Sequence, residues 1–114
     1  MDILLDLDFN LTGFKDKTDE ELAVLAKHDK SAATVLAARY SDLVFIKSEI
    51  FADSPSDRDD LRQEGLMSLL KAMEAFDPER GVKFSTFAEV CIVNRMRSFS
   101  AKTRKSSAFP DSVE

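Results

Sequence analysis

The chain has 114 residues, of which 44% are hydrophobic, with three glycines, three prolines, one cysteine and a formal charge of −5. That length suits one domain with a single modest core. A sandwich or barrel, with a turn every ten residues or so, is excluded by the scarcity of Gly and Pro. Cys91 alone excludes an internal disulfide and a Cys-based metal cluster. No apolar run approaches the roughly 20 residues of a membrane span, and no signal-peptide pattern opens the chain. The expectation is a reduced, cytoplasmic, all-α protein: a single compact bundle of about four main helices, rich in Ala, Leu, Lys, Glu, Met and Arg.

In chain order, residues 1–16 alternate apolar and acidic residues, which fits a leader, an extended arm or a short amphipathic helix. Thr18-Asp-Glu-Glu21 then reads as a capping box that opens a short helix to about His28. Ser31 is the expected N-cap of a long helix to about Phe51, with Val35, Leu36, Ala38, Tyr40, Leu43, Val44, Ile46 and Ile50 at helical spacing. Pro55 is expected to break it, and Ser56 or Asp57 to cap a third helix over about 58–76. Leu61, Leu66, Leu69, Leu70, Met73 and Phe76 are the expected buried side of that helix. Asp77-Pro-Glu-Arg-Gly81 is a turn, with Pro78 fixing φ and Gly81 free to take φ > 0. Ser85 or Thr86 caps the fourth helix, which is expected to end near Lys102–Arg104. A linker and acidic tail follow over 106–114.

Charge is segregated. Residues 1–79 hold 9 Lys/Arg against 18 Asp/Glu, whereas residues 80–105 hold 7 against Glu89 alone. A local positive field therefore exists on an acidic chain, although a solvated basic helix end explains the same pattern.

Two constellations carry chemistry. On the third helix Asp60, Gln63, Glu64, Met67 and Lys71 share a polar, acidic stripe with a hydrophobe inside it. The bland reading is a soluble face. The functional one is a docking face in which acids steer and Met67 anchors. On the fourth helix Phe84, Phe87, Cys91, Ile92, Met96 and Phe99 alternate with Asn94, Arg95, Arg97 and Lys102, and Arg80 and Lys83 precede them. Aromatics beside cations suit single-stranded nucleic acid, where bases stack and cations hold phosphates. Core packing competes as an explanation, more strongly for Phe84 than for Phe87.

The stretch DLRQEGLMSLLKAMEAFDPERGVKFSTFA (60–88) resembles the sigma-70 family of bacterial transcription initiation factors, whose region 2 carries D-L-x-Q-E-G, then K-A-x-x-x-F, then G-x-x-F-S-T-[YF]-A. DEELAVLAKHDKSAATVLAARYSDLV resembles the helix pair preceding that block, so the likeness covers residues 18–105, the expected domain being 17–105. The last helix is more similar to the sporulation sigma-H type than to the housekeeping factor.

The resemblance implies a non-enzymatic factor with no cofactor, metal or catalytic residue. Its implied partners are core RNA polymerase, the non-template strand of the −10 promoter element and an anti-sigma factor, with no membrane. It assigns contact with the β′ clamp helices to Asp60, Gln63 and Glu64, with Leu66 and Leu70 nearby, in agreement with the stripe that holds Met67. It places Phe76, Arg80 and Phe87 at the pocket for the flipped-out −11 adenine, whose extrusion is offset by stacking. Asn94 and Arg97 face the upstream edge of the −10 element, suited to adenine and guanine respectively, and Lys83, Arg95 and Lys102 hold phosphates.

One departure stands out. Val90 and Cys91 occupy the place of two tryptophans of housekeeping factors, which implies a weaker wedge and stricter promoter choice. Cys91 reads as a packed hydrophobe. His28 has no partner for metal or acid/base work, and Asp57, Asp59 and Asp60 fit the negative end of a helix start. Phe109-Pro-Asp-Ser-Val-Glu114 is too short for the C-terminal helix-turn-helix that reads the −35 element, so the expectation is an excised or truncated domain, excision being favoured, or a protein that acts with half of the usual promoter contacts. The rivals are a sigma-like domain that binds only protein and, far behind, a small hydrolase or phosphotransfer bundle.

Overall fold

The structure is a computed structural model that describes residues 13–113, with side chains as far as Thr103. The leader expected over residues 1–16 lies mostly outside the described residues. Four helices follow in order: α1 Asp19–Ala26, α2 Lys30–Phe51, α3 Pro55–Ala75 and α4 Phe84–Val113, with a short 3-10 turn Pro78–Arg80 before α4. No strand occurs among the described residues, in agreement with the all-α expectation.

Local chemistry sets most helix ends. Thr18 and Glu21 form both halves of the capping box, with Glu21 N–H to Thr18 Oγ1 at 3.1 Å and Thr18 N–H to Glu21 Oε1 at 2.8 Å. Those bonds hold the Glu21 carboxyl below the usual range, the backbone bond acting most. Asp29, not Ser31, caps α2, accepting from the Ser31 N–H at 2.8 Å. α3 starts three residues earlier than expected, because Ser54 caps it and Pro55 sits at the first helical position. Proline's missing N–H has no helical partner there, so it opens the helix that it was expected only to delimit.

Three lines of side chains meet in the core. α2 contributes Ala32, Leu36, Tyr40, Val44 and Ser48, one every fourth residue. α3 contributes Leu61, Gly65, Leu69, Ala72 and Met73, and α4 contributes Phe84, Ala88, Ile92 and Met96. Leu66 and Leu70 are exposed, not on the buried side, as are Ile46 and Ile50. The small residues explain the difference. At Gly65 an added Cβ would lie 2.6 Å from Met96 Cε and 3.0 Å from Val44 Cγ1, so α3 comes closest to its neighbours where it has no side chain.

The fourth helix is held from a distance. Phe84 N–H donates to Glu20 Oε2 of α1 at 2.7 Å, so a carboxylate from another helix caps α4 in place of the expected Ser85 or Thr86. The fully buried Phe84 ring lies edge-on to Tyr40 (centroids 5.5 Å apart) and to Phe76 (5.3 Å). At the same C-terminal end of α3, Lys27 Nζ donates to the Glu74 and Phe76 carbonyls at 2.7 and 3.1 Å, which gives two acceptors left over at that end a partner. Gly81, at φ 76°, is the left-handed residue that the turn requires. α4 continues past its expected end at Lys102–Arg104 to Val113. No Gly or Pro interrupts residues 82–109, and Pro110 falls only in the final turn.

Two outcomes follow. Phe84→Ala empties the aromatic junction and should cost about 3–5 kcal/mol in urea unfolding. Tyr40 donates to Asp19 Oδ2 at 2.5 Å, and burial first, then that bond, pushes its phenol well above the ordinary value of about 10. Because the folded-state value is raised, this contribution is complete below about pH 10 and is lost as pH climbs toward the folded value. Stability measured between pH 9 and roughly 12 should therefore fall less steeply for Tyr40→Phe than for the wild type.

Candidate functional site

The outer face of α3 carries a mixed acidic and apolar surface. Asp60, Gln63 and Lys71 are exposed, and so are Leu66 (41%), Met67 (52%) and Leu70 (48%). Hydrophobes this exposed on a core-forming helix leave a solvent-facing apolar seam rimmed by acids. Glu64 stands at its edge and accepts from Arg95 Nε of α4 at 2.5 Å. On the other flank Arg62 lies over the Phe45 ring, 3.9 Å from its centroid, and pairs with Glu49.

A second feature forms where the turn meets α4. Phe76, Arg80 and Phe87 line one cleft of about 490 Å³, together with Ala75, Asp77 and Val82. Phe76 is 3% exposed and forms its floor, while the half-buried Phe87 ring tilts toward it with centroids 6.0 Å apart. Arg80 projects from the rim at 82% side-chain exposure, its Nε only loosely held by Asp77 Oδ2 at 3.9 Å. Asp77 itself caps the turn by accepting from Glu79 N–H at 3.0 Å. An apolar floor with one exposed cation at its rim has the size and chemistry to take a planar base next to a phosphate.

Asn94 and Arg97 line a separate cleft further along α4, of about 390 Å³, with Thr86 and Glu89 on the same helix. Val90 and Val93 supply its apolar wall, Val90 being 52% exposed. Lys47 reaches it from α2 and pairs with Glu89 Oε2 at 3.5 Å. Neither Lys47 nor Glu89 was a candidate site residue in the sequence, since only the packing of α2 on α4 brings them together.

The remaining candidates do not join these clefts. Lys83 faces a shallow depression shared with Asp19, Glu20 and Ser85. Arg95 is engaged by Glu64, and Lys102 lies exposed seven residues beyond it, on the same side of α4. Cys91 is half-buried and its thiol is pushed up by burial, which disfavours the reactive thiolate. Among the described residues no group of three His, Cys, Asp or Glu is placed to hold a metal ion, and no helix is long and apolar enough to cross a membrane.

The bundle thus presents an exposed apolar seam on α3, an aromatic cleft with a cation at its rim where the turn meets α4, and an aliphatic cleft with Asn94 and Arg97 further along α4. Residues 36–106 match the family model described as Sigma-70 region 2, and the chain belongs to that family. It is similar to the RNA polymerase sigma-E factor of Clostridium acetobutylicum, 29% identical over 94 residues that cover 82% of this chain and 40% of that protein. It is also similar to two factors of Bacillus subtilis. The sigma-B factor is 31% identical over 75% of this chain and 33% of that protein, and the sigma-H factor 29% identical over 77% and 41%. The chain is thus similar to a sigma-H factor as well as to sigma-E and sigma-B factors. The chain spans about two fifths or less of the length of these curated relatives. No solved structure matches it.

Gly65→Val tests the close approach that sets this geometry. Its branched side chain meets Met96 and Val44, and overpacking of this kind costs about 1–3 kcal/mol. A lowered urea midpoint with unchanged slope is the expected readout.

Proposed function

We propose that this domain docks on core RNA polymerase through α3 and engages the −10 promoter element through α4. In this reading Asp60, Gln63, Leu66, Met67 and Leu70 meet the clamp helices of the β′ subunit, with Glu64 at the border. Acids steer the approach and the exposed hydrophobes supply the buried contact. Phe76, Arg80 and Phe87 receive an unstacked base of the non-template strand, the adenine at −11, and Asn94 and Arg97 meet the upstream edge of the element. Lys83, Arg95 and Lys102 act on phosphates, Arg95 only once it leaves Glu64. The domain works in the cytoplasm and performs no chemical step itself; bond formation belongs to the polymerase.

The observation that carries this reading is the convergence of Phe76, Phe87 and Arg80 on one cleft, while the apolar seam lies on the outer face of a different helix. One specific feature favours the protein-only rival, an anti-sigma target without DNA affinity. At Val90 and Cys91 the chain carries small apolar residues, so its wedge against base stacking is weak.

The two readings separate in one experiment. Assembled with bacterial core polymerase, Met67→Glu should weaken retention about tenfold or more, the cost of removing a central anchor. Phe87→Ala should leave retention intact and weaken binding of a fluorescent forked promoter DNA by about 1–3 kcal/mol, the worth of one base–aromatic stack. Retention that responds to Met67→Glu, combined with DNA binding indifferent to Phe87→Ala and Arg80→Ala, would favour the protein-only domain.

A further inference from the structure

The cleft beside Asn94 and Arg97 has a cation from outside α4. We infer that Lys47 of α2 is a phosphate-binding residue of the promoter groove, held in reserve by Glu89; this rests on the promoter reading of α4 above.

The Lys47 side chain is only 24% exposed, so packing directs its stem toward the groove and leaves the ammonium group at the surface. The groove wall on α4 is built by Thr86, Val90, Asn94 and Arg97, residues spaced four, four and three apart on one side of the helix. Lys47 lies across from them, so a strand in the groove is gripped from both helices. A DNA backbone presents one phosphate after another, and two cations on opposite walls neutralise more of that charge than one arginine does.

Glu89 supplies the restraint. It is the lone acid among the seven Lys/Arg of residues 80–105, and its carboxylate sits 3.5 Å from Lys47 Nζ while half-exposed. A pair so long and so wet is worth about 0–1 kcal/mol, so a phosphate displaces it readily. Before DNA arrives Glu89 cancels the Lys47 charge. Afterwards it remains as a negative group at the groove edge, able to accept from a base amino group.

The test uses the full 114-residue chain assembled with bacterial core RNA polymerase and a fluorescent forked promoter DNA, titrated across a range of salt. Lys47→Ala should make the log–log salt slope shallower by about one and weaken binding equally for different −10 sequences. Lys47→Gln, which keeps most of the stem, should do the same, and circular dichroism checks that both fold. Glu89→Gln should tighten binding in the Lys47 background and do so much less beside Lys47→Ala. If both Lys47 variants keep the wild-type slope while Arg97→Ala weakens binding, the inference is wrong and the promoter reading stands. If Arg97→Ala is also without effect, or the wild-type assembly binds no DNA, both fail together.

Discussion

The cleft that holds Phe76, Arg80 and Phe87 depends on where α4 begins, and that is decided by Phe84. Its ring is wholly buried between Tyr40 of α2 and Phe76 at the end of α3. Its amide is capped by Glu20 of α1. One residue therefore joins all four helices. Three residues on, Phe87 is held against Phe76 in turn, so the cleft floor inherits its position from the core. Preorganisation of this kind matters for any base taken out of a stack, since the protein then pays no ordering cost of its own.

The division into two faces follows from how the inner lines of the helices are filled. α3 spends Gly65 and Ala72 on close contact, while Leu61, Leu69 and Met73 fill the gaps on either side. The larger residues left over, Leu66, Met67 and Leu70, cannot reach the core and stay on the outer face. The Glu64–Arg95 pair marks the border between this seam and α4. With Arg95 half-exposed the pair adds little stability, but it keeps one cation of α4 turned toward the seam.

The number and order of helices were legible in the sequence because the breakers and caps act locally. Thr18-Asp-Glu-Glu21, Pro78 and Gly81 behave as their chemistry dictates. The inner lines were less legible. A hydrophobic pattern rewards bulk, so it drew Leu66 and Leu70 inward and overlooked Gly65, Ala72 and Ser48, whose value lies in being small. Ser48 is buried because its hydroxyl donates to the Phe45 carbonyl one turn back, which removes the cost of burying it. In the site, the motif placed Phe76, Arg80 and Phe87 on neighbouring elements, and packing brought them to one cleft. Contacts between distant residues, such as Glu20 to Phe84, Lys27 to the end of α3 and Lys47 to Glu89, leave no trace in local spacing.

The central claim is that the two faces meet two different partners at once. The most direct measurement is site-specific photo-crosslinking of the chain in a complex with core polymerase and forked promoter DNA. A photoreactive residue replaces Met67 in one preparation and Arg80 in another. The account predicts that the probe at position 67 is captured by a polymerase subunit and the probe at position 80 by the DNA strand. Capture of polymerase from both positions, with no DNA adduct from position 80, would contradict it.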